Sequence, residues 1–326
     1  MNWAAISWEL PAGILILALG GDILVRGAAT VARSLRLSQL LIGVTLVSFG
    51  TSIPELVTSV RAALLDSPGI AVGNVVGSNT ANVLLVLGAA ALIYPVATPR
   101  NTLRRDGVML VLATAVCIAV VYFGRLDRPI GAALVSLLFV YFIYRYMQER
   151  RTPELQDEAE AGDQGKKPAN LWAGLFLTAV GVAMVVVGAR WLVDSSIDFA
   201  RQYNISETII GLTIVAVGTS LPELITSVVA AMKRESGIAL GNVLGSNIQN
   251  ILGILGVTAV VKPIDVPPEI INFDIWVMTG ATVALLVFAA TNRRFSRPEG
   301  LLCLLAFGAY MSYLTYLAMS PASLPS

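Results

Sequence analysis

The chain has 326 residues, 56% of them hydrophobic and only 13% charged, with a mean hydropathy of +0.76 and a formal net charge of +1. That composition excludes an ordinary soluble domain, and the absence of basic patches with interleaved aromatics speaks against nucleic-acid binding. Histidine is missing altogether, which removes His-ligated zinc, Ser-His-Asp hydrolysis and histidine proton relays.

A helix needs about 20 apolar residues to cross a bilayer. Ten stretches qualify, at 10–32, 38–65, 69–94, 105–124, 128–148, 170–200, 206–232, 237–261, 272–291 and 299–318. The expected fold is therefore an all-α integral membrane protein with ten transmembrane helices. The first stretch has no basic residue before it and Gly20-Gly21-Asp22 is a poor cleavage site, so it reads as a retained helix. Within it Asp22 and Arg26 form an i, i+4 pair near a helix end, read as structural.

The second stretch carries Gly50-Thr51-Ser52-Ile53-Pro54-Glu55, and the third carries Gly73-Asn74-Val75-Val76-Gly77-Ser78-Asn79. Pro54 lacks an N–H, so the carbonyl of Gly50 loses its helical partner and the helix must break or kink there. Thr51 and Ser52 are then available to cap the restarting half-helix, with Glu55 one turn above Thr51 on the same face. Ser78 and Asn82 are likewise i and i+4, forming one polar face. Gly69, Gly73 and Gly77 make a small-residue strip suited to close helix packing. Thr58 and Ser59, a turn beyond the acid, read as bonding their own backbone. Cys117, in the fourth stretch, and Cys303, in the tenth, read as small core residues rather than as a disulfide.

Residues 149–169 are the only long polar stretch, six acids mixed with four bases, and are expected to be a solvated cytoplasmic linker. Beyond it the motifs return at an offset of 168, as Gly218-Thr219-Ser220-Leu221-Pro222-Glu223 and Gly241-Asn242-Val243-Leu244-Gly245-Ser246-Asn247. Pro222 breaks its helix as Pro54 does, Thr219 and Ser220 repeat the hydroxyls, and Ser246 and Asn250 repeat the polar face. Gly237, Gly241 and Gly245 repeat the small strip, and Thr226 and Ser227 repeat the distal pair. Asn74, Asn79, Asn242 and Asn247 read as ligands or as interhelical hydrogen bonders. Trp3, Trp8, Trp172 and Trp276 fall at expected membrane interfaces as belt anchors.

The expected organisation is thus a first five-helix repeat over 1–148, the linker 149–169 and a second five-helix repeat over 170–326. Five is odd, so the second copy enters from the opposite side and the repeats are inverted, an architecture found in many secondary transporters. With the N-terminus outside, the inner loops hold fifteen basic residues and the outer loops five. The positive-inside rule therefore expects both termini outside.

An isolated charge at the bilayer centre costs roughly 2.5 to 3.5 kcal/mol on insertion scales. Lys and Arg are missing from the middle of every expected span, so Glu55 and Glu223 are expected to be functional rather than ion-paired. Two carboxylates, hydroxyls, amides and freed carbonyls, without sulfur or imidazole, suit a hard cation such as Ca²⁺, Na⁺, Mg²⁺ or Mn²⁺. Two glutamates match one Ca²⁺ or two Na⁺ in charge, and a third Na⁺ leaves the loaded site positive and its movement voltage-sensitive.

The twofold occurrence of Gly-Thr-Ser-x-Pro-Glu and Gly-Asn-x-x-Gly-Ser-Asn resembles the calcium:cation antiporter superfamily, and within it the bacterial sodium/calcium exchanger-like proteins, over essentially the whole chain. The alpha repeats would be 42–88 and 210–256. The resemblance implies four ion sites at the centre of broken helices two and three and seven and eight. Glu55 and Glu223 match the calcium-binding acids of the family, while Thr51, Ser52, Thr219 and Ser220 match its carbonyl and hydroxyl ligands. Ser78 and Ser246 match its paired serines, and Ser48 and Ala216 fall where it uses a backbone carbonyl. Helices one and six would be the sliding gate. Some members carry an acid where this chain has Asn82 and Asn250, and the two amides lean against K⁺ coupling and remove a candidate proton carrier.

The sequence is therefore expected to encode a secondary antiporter exchanging Na⁺ for Ca²⁺ by alternating access in a bacterial inner membrane, exporting Ca²⁺. Its substrates would be Ca²⁺ and Na⁺, with the lipid bilayer as surroundings and with no cofactor, nucleic acid or obligate protein partner. A Ca²⁺/H⁺ antiporter or a K⁺-dependent Na⁺/Ca²⁺ exchanger on the same fold is the alternative. An intramembrane enzyme using two glutamates lacks a metal or nucleophile constellation, and a passive scaffold leaves the twice-repeated acid unexplained.

Overall fold

Pro54 and Pro222 each stand in the first turn of a twelve-residue helix, and around these two breaks the chain folds as an assembly of helices. A computed structural model describes residues 9–99, 102–151, 170–202, 216–266 and 270–319. In chain order the helices are α1 (Glu9–Leu35), α2 (Gln39–Thr51), α3 (Ile53–Leu64), α4 (Pro68–Ile93), α5 (Leu103–Phe123) and α6 (Arg128–Arg151). There follow α7 (Leu171–Gln202), the short turn α8 (Ala216–Thr219), α9 (Leu221–Met232), α10 (Ser236–Val261), α11 (Ile270–Thr291) and α12 (Arg297–Met319).

Among the described residues eight helices are long and apolar enough to cross a membrane, and nine if the bent pair of α2 and α3 counts as one span. Those two meet at a 46° bend. Only part of the expected span 206–232 is described, as α8 and α9, because residues 203–215 lie outside the described set, as do linker residues 152–169. Trp3 and Trp8 lie outside it too, whereas Trp172 and Trp276 are exposed on the outer surface.

Several helices contain π-helical turns, at Gly43–Val47 in α2, Asn82–Leu87 in α4 and Asn250–Ile254 in α10. The last two match at the 168-residue offset and begin at Asn82 and Asn250. Such turns widen the helix by one residue and recur at functional sites.

Two apolar clusters hold the helices together. One gathers α4, α5, α6, α10 and α11, including Leu87, Leu110, Leu138, Ile251 and Leu285. The other gathers α1, α2, α7 and the facing turns of α9 and α10, including Leu24, Ile42, Val185 and Ile238. Glycine permits the closest approaches: a Cβ on Gly181 of α7 would lie 2.5 Å from the Leu24 Cα, and one on Gly241 of α10 would lie 2.5 Å from the Leu40 carbonyl oxygen. The strip Gly237, Gly241 and Gly245 packs against α2 as expected. Gly73 and Gly77 meet no described residue within 4 Å.

Short antiparallel ribbons tie the two halves at their connections. β1 (Val96–Ala97) pairs with β4 (Arg294–Phe295), with Val96 opposite Phe295, and β2 (Arg125–Leu126) pairs with β3 (Ile264–Asp265), with Leu126 opposite Ile264. Lys262 adds an ion pair to Asp66 at 2.7 Å. The Arg234 guanidinium lies 5.5 Å from the centre of the Tyr94 ring. Cys117 and Cys303 are both free and buried, as read from the sequence.

Candidate functional site

The site grows from the two helix breaks. Ser52 (φ −85°, ψ 7°) and Ser220 (φ −90°, ψ 6°) leave helical geometry at matching positions, and α3 and α9 restart one residue later. Proline is tolerated in a first helical turn because its missing N–H would be unpaired there anyway. Glu55 and Glu223 follow directly in these first turns, where the helix dipole favours negative charge. Each is only 1% exposed, and the two are within Coulombic reach of each other.

The expected capping role is not what the serines do. Ser52 and Ser220 occupy the N-cap positions, yet neither side chain makes a capping bond. The Ser52 hydroxyl turns across the interface and donates to Glu223 Oε1 at 2.9 Å, with Ser246 Oγ 3.2 Å away. The Ser246 hydroxyl is itself 3.5 Å from the same carboxylate oxygen. Thr51 donates to Asn242 Oδ1 at 3.1 Å, again across the two halves. A cap would use the serine oxygen as acceptor, which neither does; Ser52 places its proton on the buried carboxylate, and the Ser220 hydroxyl has no hydrogen-bond partner among the described residues.

The amides of the second motif form two sets. Asn74 donates to the Glu55 carbonyl (3.1 Å) and to Ser59 Oγ (2.9 Å), and Asn242 does the same to the Glu223 carbonyl (3.3 Å) and Ser227 Oγ (3.0 Å). These residues brace each acid-bearing turn. Ser59 additionally donates to the Ala71 carbonyl, so it links helices rather than bonding its own backbone. The second set runs between halves: Asn82 donates to Asn247 Oδ1 and Asn250 to Asn79 Oδ1, each at 3.0 Å.

Of the remaining expected residues, Ser78 is buried on the same face of α4 as Asn82, and Thr219 is half-buried. Ser48 is fully committed: its hydroxyl bonds the Val44 carbonyl, and its own carbonyl accepts from the Ser52 N–H (3.0 Å) and the Thr51 hydroxyl (3.3 Å). Ala216 opens α8, and its side chain lies outside the described set.

What this arrangement can do follows from which atoms are left over. Oε2 of Glu55, Oε2 of Glu223, Oδ1 of Asn82 and Oδ1 of Asn250 are buried without a hydrogen-bond partner, as is the Ser220 hydroxyl. No ion pair among the described residues reaches either glutamate. Nor does any group of three or more Cys, Asp or Glu converge among them. Two buried carboxyl groups and neutral oxygens contributed by both halves are the donor types that suit a hard cation.

Three contacts were not legible in the sequence. Gln249 is buried and donates to Ser48 Oγ at 2.6 Å and to the Val44 carbonyl at 3.0 Å, locking α10 onto the π-turn of α2. Its counterpart in the first half is Ala81, so the repeat pattern hid it, although it shares a helix face with Asn242 and Ser246. Asp106 accepts from Tyr141 (2.7 Å) and pairs with a fully buried Arg145 (2.6 Å). The pair of Asp22 and Arg26 is present at 2.8 Å but extends to Lys233 at the end of α9, which joins α1 to the helix bearing Glu223.

The sodium/calcium exchanger protein family matches residues 8–147 and 173–316. The sodium/calcium exchanger MaX1 of Methanosarcina acetivorans is 36% identical, covering 94% of this chain and 97% of its own. Inner membrane protein YrbG of Escherichia coli is also 36% identical, covering 94% of each. Among solved structures, the sodium-calcium exchanger NCX_Mj soaked with Na⁺ and Ca²⁺ superposes with a TM-score of 0.80 at 30% identity, over 96% of this chain and 99% of that one.

Proposed function

The chain belongs to the sodium/calcium exchanger protein family, and we propose that it exchanges Na⁺ for Ca²⁺ across the bacterial inner membrane by alternating access, in the direction of Ca²⁺ export. The observation that carries this reading is the pair of buried carboxyl groups, Glu55 and Glu223, which no Lys or Arg among the described residues pairs, together with buried neutral oxygens in both halves that lack a hydrogen-bond partner. Buried charge without a partner is costly. A bound cation supplies the partner, and two sets of cations competing for one pair of acids couple their fluxes.

Glu55 and Glu223 are the anionic ligands in this proposal, with Thr51, Ser52, Ser78 and Asn82 and their counterparts Thr219, Ser220, Ser246 and Asn250 as neutral ones. The carbonyls of Ser48 and Ala216 complete the set, Ser48 being its weakest member because its carbonyl already accepts two hydrogen bonds.

The proposed architecture is ten crossings in two inverted five-helix repeats, with both termini outside. Contacts between connections support it. β1 with β4 and β2 with β3 must each lie on one membrane side, and so must Ser38, whose N–H donates to Glu149 at the end of α6. Ten crossings satisfy all three. If the segment of α2 and α3 merely dipped in and returned, Ser38 and Glu149 would fall on opposite sides; were the second such segment or both to do so, the ribbons would be split.

The test is Ca²⁺ flux in everted vesicles with Na⁺, K⁺ and pH gradients imposed in turn. Flux that follows the Na⁺ gradient alone is expected. Flux that persists without Na⁺ and follows the pH gradient would replace the reading with Ca²⁺/H⁺ exchange, and a requirement for K⁺ would make it a K⁺-dependent exchanger.

A further inference from the structure

An asparagine side chain has two ends of equal shape, a carbonyl that attracts a cation and an NH₂ that repels it. Which end faces a cation site therefore decides whether the residue helps or hinders binding. Asn79, Asn82, Asn247 and Asn250 are all buried, and each pair lies at i, i+3 on one helix, α4 or α10. The hydrogen bonds nevertheless run between helices, Asn250 to Asn79 and Asn82 to Asn247.

The orientation of one pair follows from a group that has no choice. The Asn79 amide nitrogen lies 3.4 Å from the backbone carbonyl of Asn247, which can only accept. Asn79 must therefore place its NH₂ there and its oxygen on the opposite side. That oxygen receives the NH₂ of Asn250, so the Asn250 oxygen is turned away from the pair, and it is buried without a partner. Across the pseudo-symmetry, Asn247 Oδ1 receives the NH₂ of Asn82, and the Asn82 oxygen is the one left over.

We propose that Asn79 is a positioning residue that sets the amide of Asn250 carbonyl-first toward the transported cation, so that the first half orients an amide ligand of the second; Asn247, whose own NH₂ is buried without a partner, lacks the anchor that would do the same for Asn82. This rests on the ligand role assigned above to Asn82 and Asn250. Loss of the positioning residue frees the amide to turn its NH₂ toward the cation, which weakens binding without touching the carboxylates.

The experiment is a set of double-mutant cycles in the full chain, read as the half-saturating Ca²⁺ and Na⁺ concentrations in proteoliposomes and as Ca²⁺ affinity by calorimetry in detergent. Asn250→Ala and Asn79→Ala are each expected to weaken Ca²⁺ on the order of tenfold, with the double variant no weaker than Asn250→Ala alone. The same-helix pairs, Asn79 with Asn82 and Asn247 with Asn250, are expected to multiply as independent sites.

Asn79→Asp keeps an oxygen for the Asn250 NH₂ and loses the NH₂ contacts to the Asn247 carbonyl and to Met278 Sδ. In that background Asn250→Ala should retain its full effect, a comparison that cancels the added charge and serves where Asn79→Ala fails to insert. If Asn250→Ala and Asn82→Ala leave cation dependence unchanged, the ligand reading itself falls, and this proposal with it. If they weaken binding but Asn79→Ala multiplies with Asn250→Ala, or couples instead to Asn82, the positioning role alone is overturned.

Discussion

Ser52 in the first half donates its hydroxyl to the carboxylate of Glu223 in the second at 2.9 Å. The serine of one Gly-Thr-Ser-x-Pro-Glu motif thus serves the acid of the other, while its own N–H still donates to the Ser48 carbonyl and its carbonyl still accepts from Leu56. The two motifs are one site, joined by side chains rather than merely adjacent.

Neutralising either acid should abolish exchange. Glu55→Gln and Glu223→Gln keep shape and burial but remove one of two anions. At an effective dielectric near 20 a unit charge pair at 4 Å is worth about 4 kcal/mol, enough to move Ca²⁺ dependence out of the working range. Labelled Ca²⁺ uptake should fall to background while the protein still inserts; retained exchange in either variant would refute the assignment.

Ser52→Ala should weaken Ca²⁺ dependence more than Ser246→Ala. The first removes a 2.9 Å bond to Glu223, the second a contact of 3.5 Å. Hydrogen bonds to charged groups contribute about 1.5–3 kcal/mol, so Ser52→Ala should raise the half-saturating concentration on the order of tenfold. Equal effects from the two serines would mean that the short bond carries no function.

Asn250→Asp should add a third negative charge beside the two glutamates. A new acid must lose its proton before the cation binds, so exchange by this variant should decline on acidification at a pH where the natural chain is unaffected. A pH series of Ca²⁺ flux in both proteins measures this; identical profiles would place Asn250 away from the cation.

Gly245→Ala should destabilise the protein, because its Cβ would collide with the Val44 carbonyl oxygen and with Ser48 Oγ, 2.5 Å away. Forcing a methyl group into a packed helix contact costs about 1–3 kcal/mol. Gly308, exposed on α12 with nothing within 4 Å, provides the control, and Gly308→Ala should leave the unfolding temperature in detergent unchanged or raised.

Arg145→Met should strand Asp106 in the interior, since both side chains are essentially fully buried. Leaving one partner of a buried pair costs about 3–5 kcal/mol. The double variant Arg145→Met with Asp106→Asn should recover much of that loss in a thermal unfolding series, and failure to recover would point to Tyr141 and packing instead.

How much of this was readable in the residues differs by kind of feature. The apolar spans, the helix breaks and the repeat followed from rules that act within a few residues: hydropathy over one bilayer thickness, the missing N–H of Pro54 and Pro222, and identity at a fixed offset. Glu55 and Glu223 stood out for the same reason, as acids in apolar surroundings with no nearby base. The wrong expectation, that Ser52 and Ser220 cap their own helices, came from applying a local rule where Ser52 finds an acceptor in the other half and the Ser220 hydroxyl is left without a partner among the described residues.

The tertiary structure decided everything that depends on which residues distant in the chain meet. No sequence rule pairs Ser52 with Glu223, Asn79 with Asn250 or Arg145 with Asp106, because a side chain chooses among the acceptors that packing brings within about 3 Å. Gln249 makes the point most sharply: it breaks the repeat, and only its contact with Val44 and Ser48 reveals that it fastens α10 to α2. Likewise Asp66 and Arg234 take left-handed backbone (φ 56° and 59°) at matching positions without glycine, a conformation set by the turn that the packed halves impose. The sequence by itself determined that one acid-bearing motif occurs twice in apolar segments; the fold determined that residues of one copy meet the acid of the other, as Ser52 meets Glu223, because only packing brings the two halves into contact.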